Sequence, residues 1–255
     1  MDTREIISGQ LYDLERLKER SKLLRKEVLQ LALETNGSHI GGSFSEIEIL
    51  ISLFYKILNH DDLFILSKGH ACYPYFLLLR EKGFDPKIMG HPEIDPKNGI
   101  YCTTGSLGHG LPIGAGMAFA RKIKQLSGRI YILMSDGECQ EGTTWETSDF
   151  LAQHNINNLT AIIDVNKIQA LDRIEDVSPL NLKEKFTSFG WHVKEIDGHN
   201  FNEIISALRE TPDKPYVILA DTTKGKGVSY MEDRAMWHGR KVNFERVEQA
   251  LKELS

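Results

Sequence analysis

The sequence predicts an α/β domain: a single, mostly parallel sheet with helices on both faces. Two observations carry that reading. Four short apolar runs of strand length, Leu63–Leu66, Ile130–Met134, Leu159–Asp164 and Tyr216–Ala220, and a fifth segment read as a strand, His192–Ile196, alternate with stretches of helical period. Between the second and third runs, Gly142–Asn155 reads as a helix, which makes a βαβ unit and sets those two strands parallel. The chain has 255 residues, 41% hydrophobic and 26% charged, enough for one large domain with a substantial core. No repeat, low-complexity segment or linker divides it, so residues 1–255 are read as one domain with an N-terminal helical extension.

The extension is a helix over Gln10–Thr35, with Leu14, Leu17, Leu24, Val28 and Leu31 on a helical period and Asn36-Gly37 as its stop. Gly37, Gly41 and Gly42 then read as a loop, either a tight inter-helix turn or a close approach to a ligand. Ser45 is placed as the cap of a helix Glu46–Leu58, with Glu48 at the capping-box position. After Leu63–Leu66, the residues Ser67 to His70 stand where that strand turns into the helix Ala71–Glu81. Gly83–Thr103, rich in Pro and Gly, is read as loop and contains His91.

TTGSLGHGLPIGAGMAFARKI carries Gly105, Gly108, Gly110, Gly114 and Gly116 before entering a helix. Its spacing is not G-x-G-x-x-G, and no acid stands about 20 residues on at the end of a next strand, so a dinucleotide site is rejected. What remains is a loop that passes close to something flat or bulky and a helix whose small residues pack tightly. Beyond the βαβ unit, Val177–Gly190 carries a short helix and Asp197-Gly198-His199 turns into the helix Asn202–Arg209. A Gly-rich loop after Tyr216–Ala220 ends at His238, and the helix Asn243–Leu254 closes the chain.

Composition excludes several classes. A net charge of −5 gives no reason to expect nucleic acid or an anionic membrane. No apolar run approaches the roughly 20 residues of a membrane span. The N-terminus lacks a basic-then-apolar secretory pattern. Cys72, Cys102 and Cys139 are odd in number and have no CxxC spacing, which argues against disulfides and structural zinc. A cytoplasmic protein is expected.

Asp136 follows the first strand of the βαβ unit and Asn166 the second, so both emerge at the carboxyl edge, where open α/β sheets bind ligands. A carboxylate, an amide oxygen and a loop carbonyl suit a hard cation such as Mg²⁺ that keeps places for diphosphate and water. Asp136-Gly137 followed by Asn166 resembles the metal and diphosphate motif of thiamine-diphosphate enzymes.

With SKGHA, GHPE, TTGSLG and the loop ending in His238, nearly the whole chain resembles the N-terminal, diphosphate-binding domain of transketolase. The resemblance implies that Asp136, Asn166 and the Ile168 carbonyl hold Mg²⁺ (or Ca²⁺ or Mn²⁺), and that Gly137, with Glu138 beside it, approaches the diphosphate. It implies that Gly105 and Leu107 meet the aminopyrimidine ring of thiamine diphosphate and His70 its diphosphate. His39 and His238 would lie between diphosphate and substrate, His91 would meet a substrate hydroxyl, and Glu141 would link paired active sites. The implied reaction moves a two-carbon ketol unit from a ketose sugar to an aldehyde.

In the family a further domain supplies the pyrimidine-binding surface and a catalytic glutamate, and this sequence does not contain that domain. A separate C-terminal subunit is therefore expected to supply both, in a heterotetramer. The alternatives are other thiamine-dependent carbon–carbon chemistry and a non-catalytic binding subunit. Three departures from the family pattern stand out: Ser135 where Gly is usual, His109 where Gln is usual, and a shortened loop between Gly83 and His91. The missing piece of that loop carries an arginine for substrate phosphate in transketolases acting on sugar phosphates, which puts ordinary sugar-phosphate specificity in doubt.

Overall fold

The computed structural model describes residues 13–255. The sheet has five strands, β1 (Leu63–Leu66), β2 (Ile130–Ser135), β3 (Leu159–Val165), β4 (His192–Asp197) and β5 (Tyr216–Asp221). They are all parallel, in the order β1-β2-β3-β5-β4. The chain proceeds across the sheet to β3, jumps to the edge at β4 and returns through β5. The direction of winding thus changes beside β3, the kind of position where such sheets form a binding crevice.

Alternate residues of each strand feed two cores. Phe64, Leu66, Tyr131, Leu133, Ile162 and Ile218 face one way. They meet α1 (Leu14–Glu34), α2 (Ile40–Ser45), α3 (Ile47–Ser52), α4 (Tyr73–Glu81), α9 (Phe201–Leu208) and α10 (Phe244–Glu253). Ile65, Ile132, Met134, Ala161, Ile163 and Val217 face the other way, against α5 (Gly110–Ile123), α6 (Gly142–Gln153) and α8 (Leu182–Ser188), which follows the single-turn α7 (Ile174–Val177). Leu17, Leu24, Val28 and Leu29 of α1 are fully buried. Each contributes about 1.5–3 kcal/mol, so the N-terminal helix belongs to the core. Glycines let α5 lie close to the sheet: a Cβ at Gly114 would sit 2.3 Å from Ile132 Cδ1.

Three local expectations are corrected. Helix α1 starts at Leu14, because the Asp13 carboxylate accepts the Arg16 N–H at 2.9 Å as its cap; Gln10, the expected start, lies outside the described residues. Ser45 does not cap a helix. Helical turns begin already at Ile40 and resume at Ile47, with a π-helical turn over Leu53–Ile57. The Ser45 hydroxyl donates to Asp164 and Glu48 pairs with Arg25, so distant buried partners claim both would-be capping groups. Gly41 and Gly42 are buried helical residues, and a Cβ at Gly41 would sit 2.8 Å from the Trp237 carbonyl oxygen.

Candidate active site

Four loops leave the carboxyl edge of the sheet and bring together residues far apart in the chain. Asp136 ends β2 and starts a 3-10 turn over Gly137–Gln140. Its Oδ1 accepts the Gly137 N–H at 2.8 Å and its Oδ2 the Lys167 N–H at 2.5 Å. The second bond ties the end of β2 to the residue after Asn166. Burial and the nearby Asp164 charge push the Asp136 pKa above the usual carboxylate range.

Asn166 is held at both ends of its amide. Nδ2 donates to Asp164 Oδ2 at 2.9 Å, and Oδ1 accepts the Ile168 N–H at 3.2 Å. A carboxylate can only accept, so Asp164 fixes which way the amide points. Asp164 is fully buried and also accepts from Ser45, Lys68 and Thr222. Burial opposes its ionisation, but Lys68 and these donors outweigh that and keep its pKa below the ordinary value.

Lys224, in the loop after β5, completes the group. Its ammonium donates to the Ile168 carbonyl at 3.1 Å and lies 3.4 Å from Asn166 Oδ1. Burial and the neighbouring Lys68 lower its pKa. Asn166 and Ile168 therefore aim their oxygens at a positive charge that the protein itself supplies. Among the described residues no cluster of three or more His, Cys, Asp or Glu has metal-site geometry. Cation binding here would rely on one carboxylate, one amide and one carbonyl.

The histidines form a second group. The His39 ring lies 5.2 Å from His70, 5.6 Å from His238 and 6.5 Å from His91, centroid to centroid, and His70 lies 5.4 Å from His238. His39 has left-handed backbone, φ 63°, at the start of α2, and its Nδ1 pairs with the Ser38 hydroxyl at 2.8 Å. Burial, then Lys68 and the other histidines, push His70 well below its ordinary pKa, and burial and Lys224 push His238 down to about 3. Both are neutral imidazoles at neutral pH. Among the described residues the buried His238 Nδ1 has no hydrogen-bond partner, an orphan that a ligand polar group would satisfy.

His91 packs on Gly105. The glycine has φ 137°, and a Cβ there would sit 2.6 Å from His91 Cδ2. Leu107 is half-buried in the same loop. Glu138, expected to contact the cofactor, bonds to the Gly-rich loop. It is fully buried, and its carboxylate accepts from the Ser67 hydroxyl, the Gly108 N–H at 2.9 Å and the Ser135 N–H at 3.3 Å. It therefore braces the Gly-rich loop from below. Glu141 is exposed at the start of α6. Gly137 approaches Gln169, where a Cβ would stand 3.2 Å from the Gln169 Cβ.

Sequence reasoning missed Lys68, Asp164 and Lys224. Lys224 carried a signal, a lysine inside a Gly-rich loop at a strand's carboxyl end. Lys68 and Asp164 carried little, because a buried charge is explained only by partners distant in sequence.

Residues 19–255 match the family model described as transketolase, thiamine diphosphate binding domain. A protein of Actinobacillus succinogenes named as one of the subunits of an apulose-4-phosphate transketolase is 35% identical, over 93% of this chain and 95% of that protein. The 6-deoxy-6-sulfo-D-fructose transketolase subunit SqwG of Clostridium sp. (strain MSTE9) is 34% identical, over 93% and 96%. The transketolase of Homo sapiens is 32% identical over 94% of this chain but only 42% of its own length. The solved transketolase of Campylobacter jejuni superposes with a TM-score of 0.87 at 29% identity, over 95% of this chain and 43% of that one. The chain thus spans less than half of these long transketolases and nearly all of the two subunit-type relatives.

Proposed function

The chain belongs to the transketolase family, through its thiamine-diphosphate-binding domain, and from that premise we propose that it is the cofactor-binding subunit of a two-chain transketolase. The observation that carries the reading is the likeness to relatives named as transketolase subunits, 35% and 34% identical over 93% of this chain. A separate C-terminal subunit would supply the pyrimidine-binding domain and the catalytic glutamate, in a heterotetramer of two chains of each kind. Cys72, Cys102 and Cys139 are free and buried, which favours a cytoplasmic location.

A divalent cation, Mg²⁺ in first place, would be held by Asp136, Asn166 and the Ile168 carbonyl. The oxygens of Asn166 and Ile168 already converge on the Lys224 ammonium, which supports a cationic occupant. When bound, thiamine diphosphate supplies an electron sink for breaking and making the carbon–carbon bond beside a ketose carbonyl. Gly105 and Leu107 would flank its ring, and Gly137 would let the backbone approach a phosphate. His70, kept neutral, would donate to the diphosphate, and His238, kept neutral, offers one donor and one acceptor, as proton movement at a sugar hydroxyl requires. His39 and His91 complete the polar wall on the substrate side, and Glu141, exposed, would meet a second copy.

Substrate choice would depart from ordinary pentose phosphates. Phosphate recognition is best served by a fixed Arg fork. Here Arg80 lies toward Asp85 at 4.0 Å and Lys82 lies over the Tyr55 ring at 5.0 Å, while Lys87 is exposed. The two subunit-type relatives are named for apulose 4-phosphate and for a sulfo-sugar. Calorimetric titration of the chain and its partner with thiamine diphosphate and Mg²⁺, followed by a ketol-transfer assay, tests the reading.

A further inference from the structure

The Asp197-Gly198-His199 turn does no work in the function above, yet it meets a buried, bidentate charge pair. Arg25 of α1 donates to both carboxylate oxygens of Glu48, from Nη1 at 2.8 Å and from Nη2 at 2.9 Å, with both side chains buried. Glu48 Oε2 lies 3.0 Å from His199 Nδ1. On the other side of the ring, His199 Nε2 accepts the Thr223 backbone N–H at 2.9 Å. Only one state of the imidazole satisfies both partners. The carboxylate requires a proton on Nδ1, and the peptide N–H requires a bare Nε2.

The same assembly holds the loop again three residues later, where Arg25 Nε donates to the Lys226 carbonyl at 2.8 Å. Thr223 and Lys226 straddle Lys224, whose ammonium reaches Ile168 and Asn166. Between them the Gly225 N–H donates to the Gly41 carbonyl at 2.9 Å, with Gly225 at φ 77°. The loop is thus pinned on both sides of its lysine, from α1, α2 and the turn after β4, with Glu48 of α3 tying Arg25 to His199. That exceeds what a surface connection needs.

We infer that Arg25, Glu48 and His199 form a clamp that positions the Thr223–Lys226 backbone, and that His199, as its Nδ1-protonated tautomer, acts on the cofactor site through Lys224. The inference rests on the cofactor reading above. It assigns His199 a positioning role, not a chemical one.

A double-mutant cycle tests it, with thiamine diphosphate affinity (Mg²⁺ and the second chain present) and melting temperature as readouts. Lys224→Met and His199→Phe should each weaken cofactor binding about tenfold, and His199→Phe should add little in the Lys224→Met background. His199→Gln presents a donor and an acceptor on one planar group and should keep most of the affinity. If His199→Phe does not fold, His199→Asn replaces it, because its amide is too short to span Glu48 and Thr223. Additive losses, or loss of melting temperature without loss of affinity, would overturn the clamp. Unchanged affinity in Lys224→Met would overturn it too, while leaving the transketolase reading to the Asp136 variant below.

Discussion

The ammonium of Lys224 lies 3.1 Å from the carbonyl oxygen of Ile168, one of the oxygens proposed to bind a divalent ion. A buried lysine in contact with an oxygen proposed to bind a cation marks a place suited to positive charge. The Asp136 carboxylate, raised in pKa by burial, gains most from such a charge.

The metal prediction follows. Asp136→Ala removes the one charged oxygen of the set and should abolish measurable retention of thiamine diphosphate with Mg²⁺. Asn166→Ala should weaken it strongly, by at least the roughly 10–100-fold typical for loss of a group that only supports a ligand. Calorimetric titration reads both, and unchanged affinity in Asp136→Ala would remove the metal assignment.

The histidine cluster makes stability depend on pH. His70 and His238 have pKa values in the folded state below the ordinary 6.5. Below about pH 6.5 the unfolded chain therefore binds protons that the folded chain refuses, and stability falls as pH falls. Glu46, fully buried and raised to about 8, works the other way: its folded state keeps a proton from about pH 4.5 upward, so its contribution falls as pH rises. Comparing wild type with His238→Gln isolates the histidine. In urea unfolding of the cofactor-free chain, the variant should gain stability relative to wild type between pH 7 and pH 5. A constant difference would show that His238 does not titrate in that window.

On the substrate side, the reconstituted pair should prefer a larger, modified or differently charged sugar over xylulose 5-phosphate and ribose 5-phosphate. Competition assays reporting kcat/KM measure this. High values for the two pentose phosphates, above every alternative, would make the shortened Gly83–His91 loop irrelevant.

The strands were legible in the sequence almost residue by residue. Leu63–Leu66 coincides with β1, and the other four runs end within one residue of the observed strands. Short apolar runs between polar turns leave little choice in β1, β2, β3 and β5, which are buried on both faces, whereas β4 lies partly exposed at the edge. The clustering of His39, His70, His91 and His238 was legible only through resemblance, since their loops are brought together by topology. The supporting network was not legible. Lys68 and Asp164 stand 96 residues apart and pair at a site of zero exposure, and no local pattern announces such a pair. For the same reason Ser45 and Glu48 read as a capping box: their spacing is local, but their partners, Asp164 and Arg25, are not.

The central claim is that this chain holds the cofactor and needs a second chain for turnover. Its most direct test is ketol transfer by this chain alone, by a candidate C-terminal partner alone, and by the two mixed, with thiamine diphosphate and Mg²⁺ present. The account predicts no turnover from either chain alone and robust transfer from the mixture, saturating at a one-to-one ratio of chains. Robust turnover by this chain alone would contradict it.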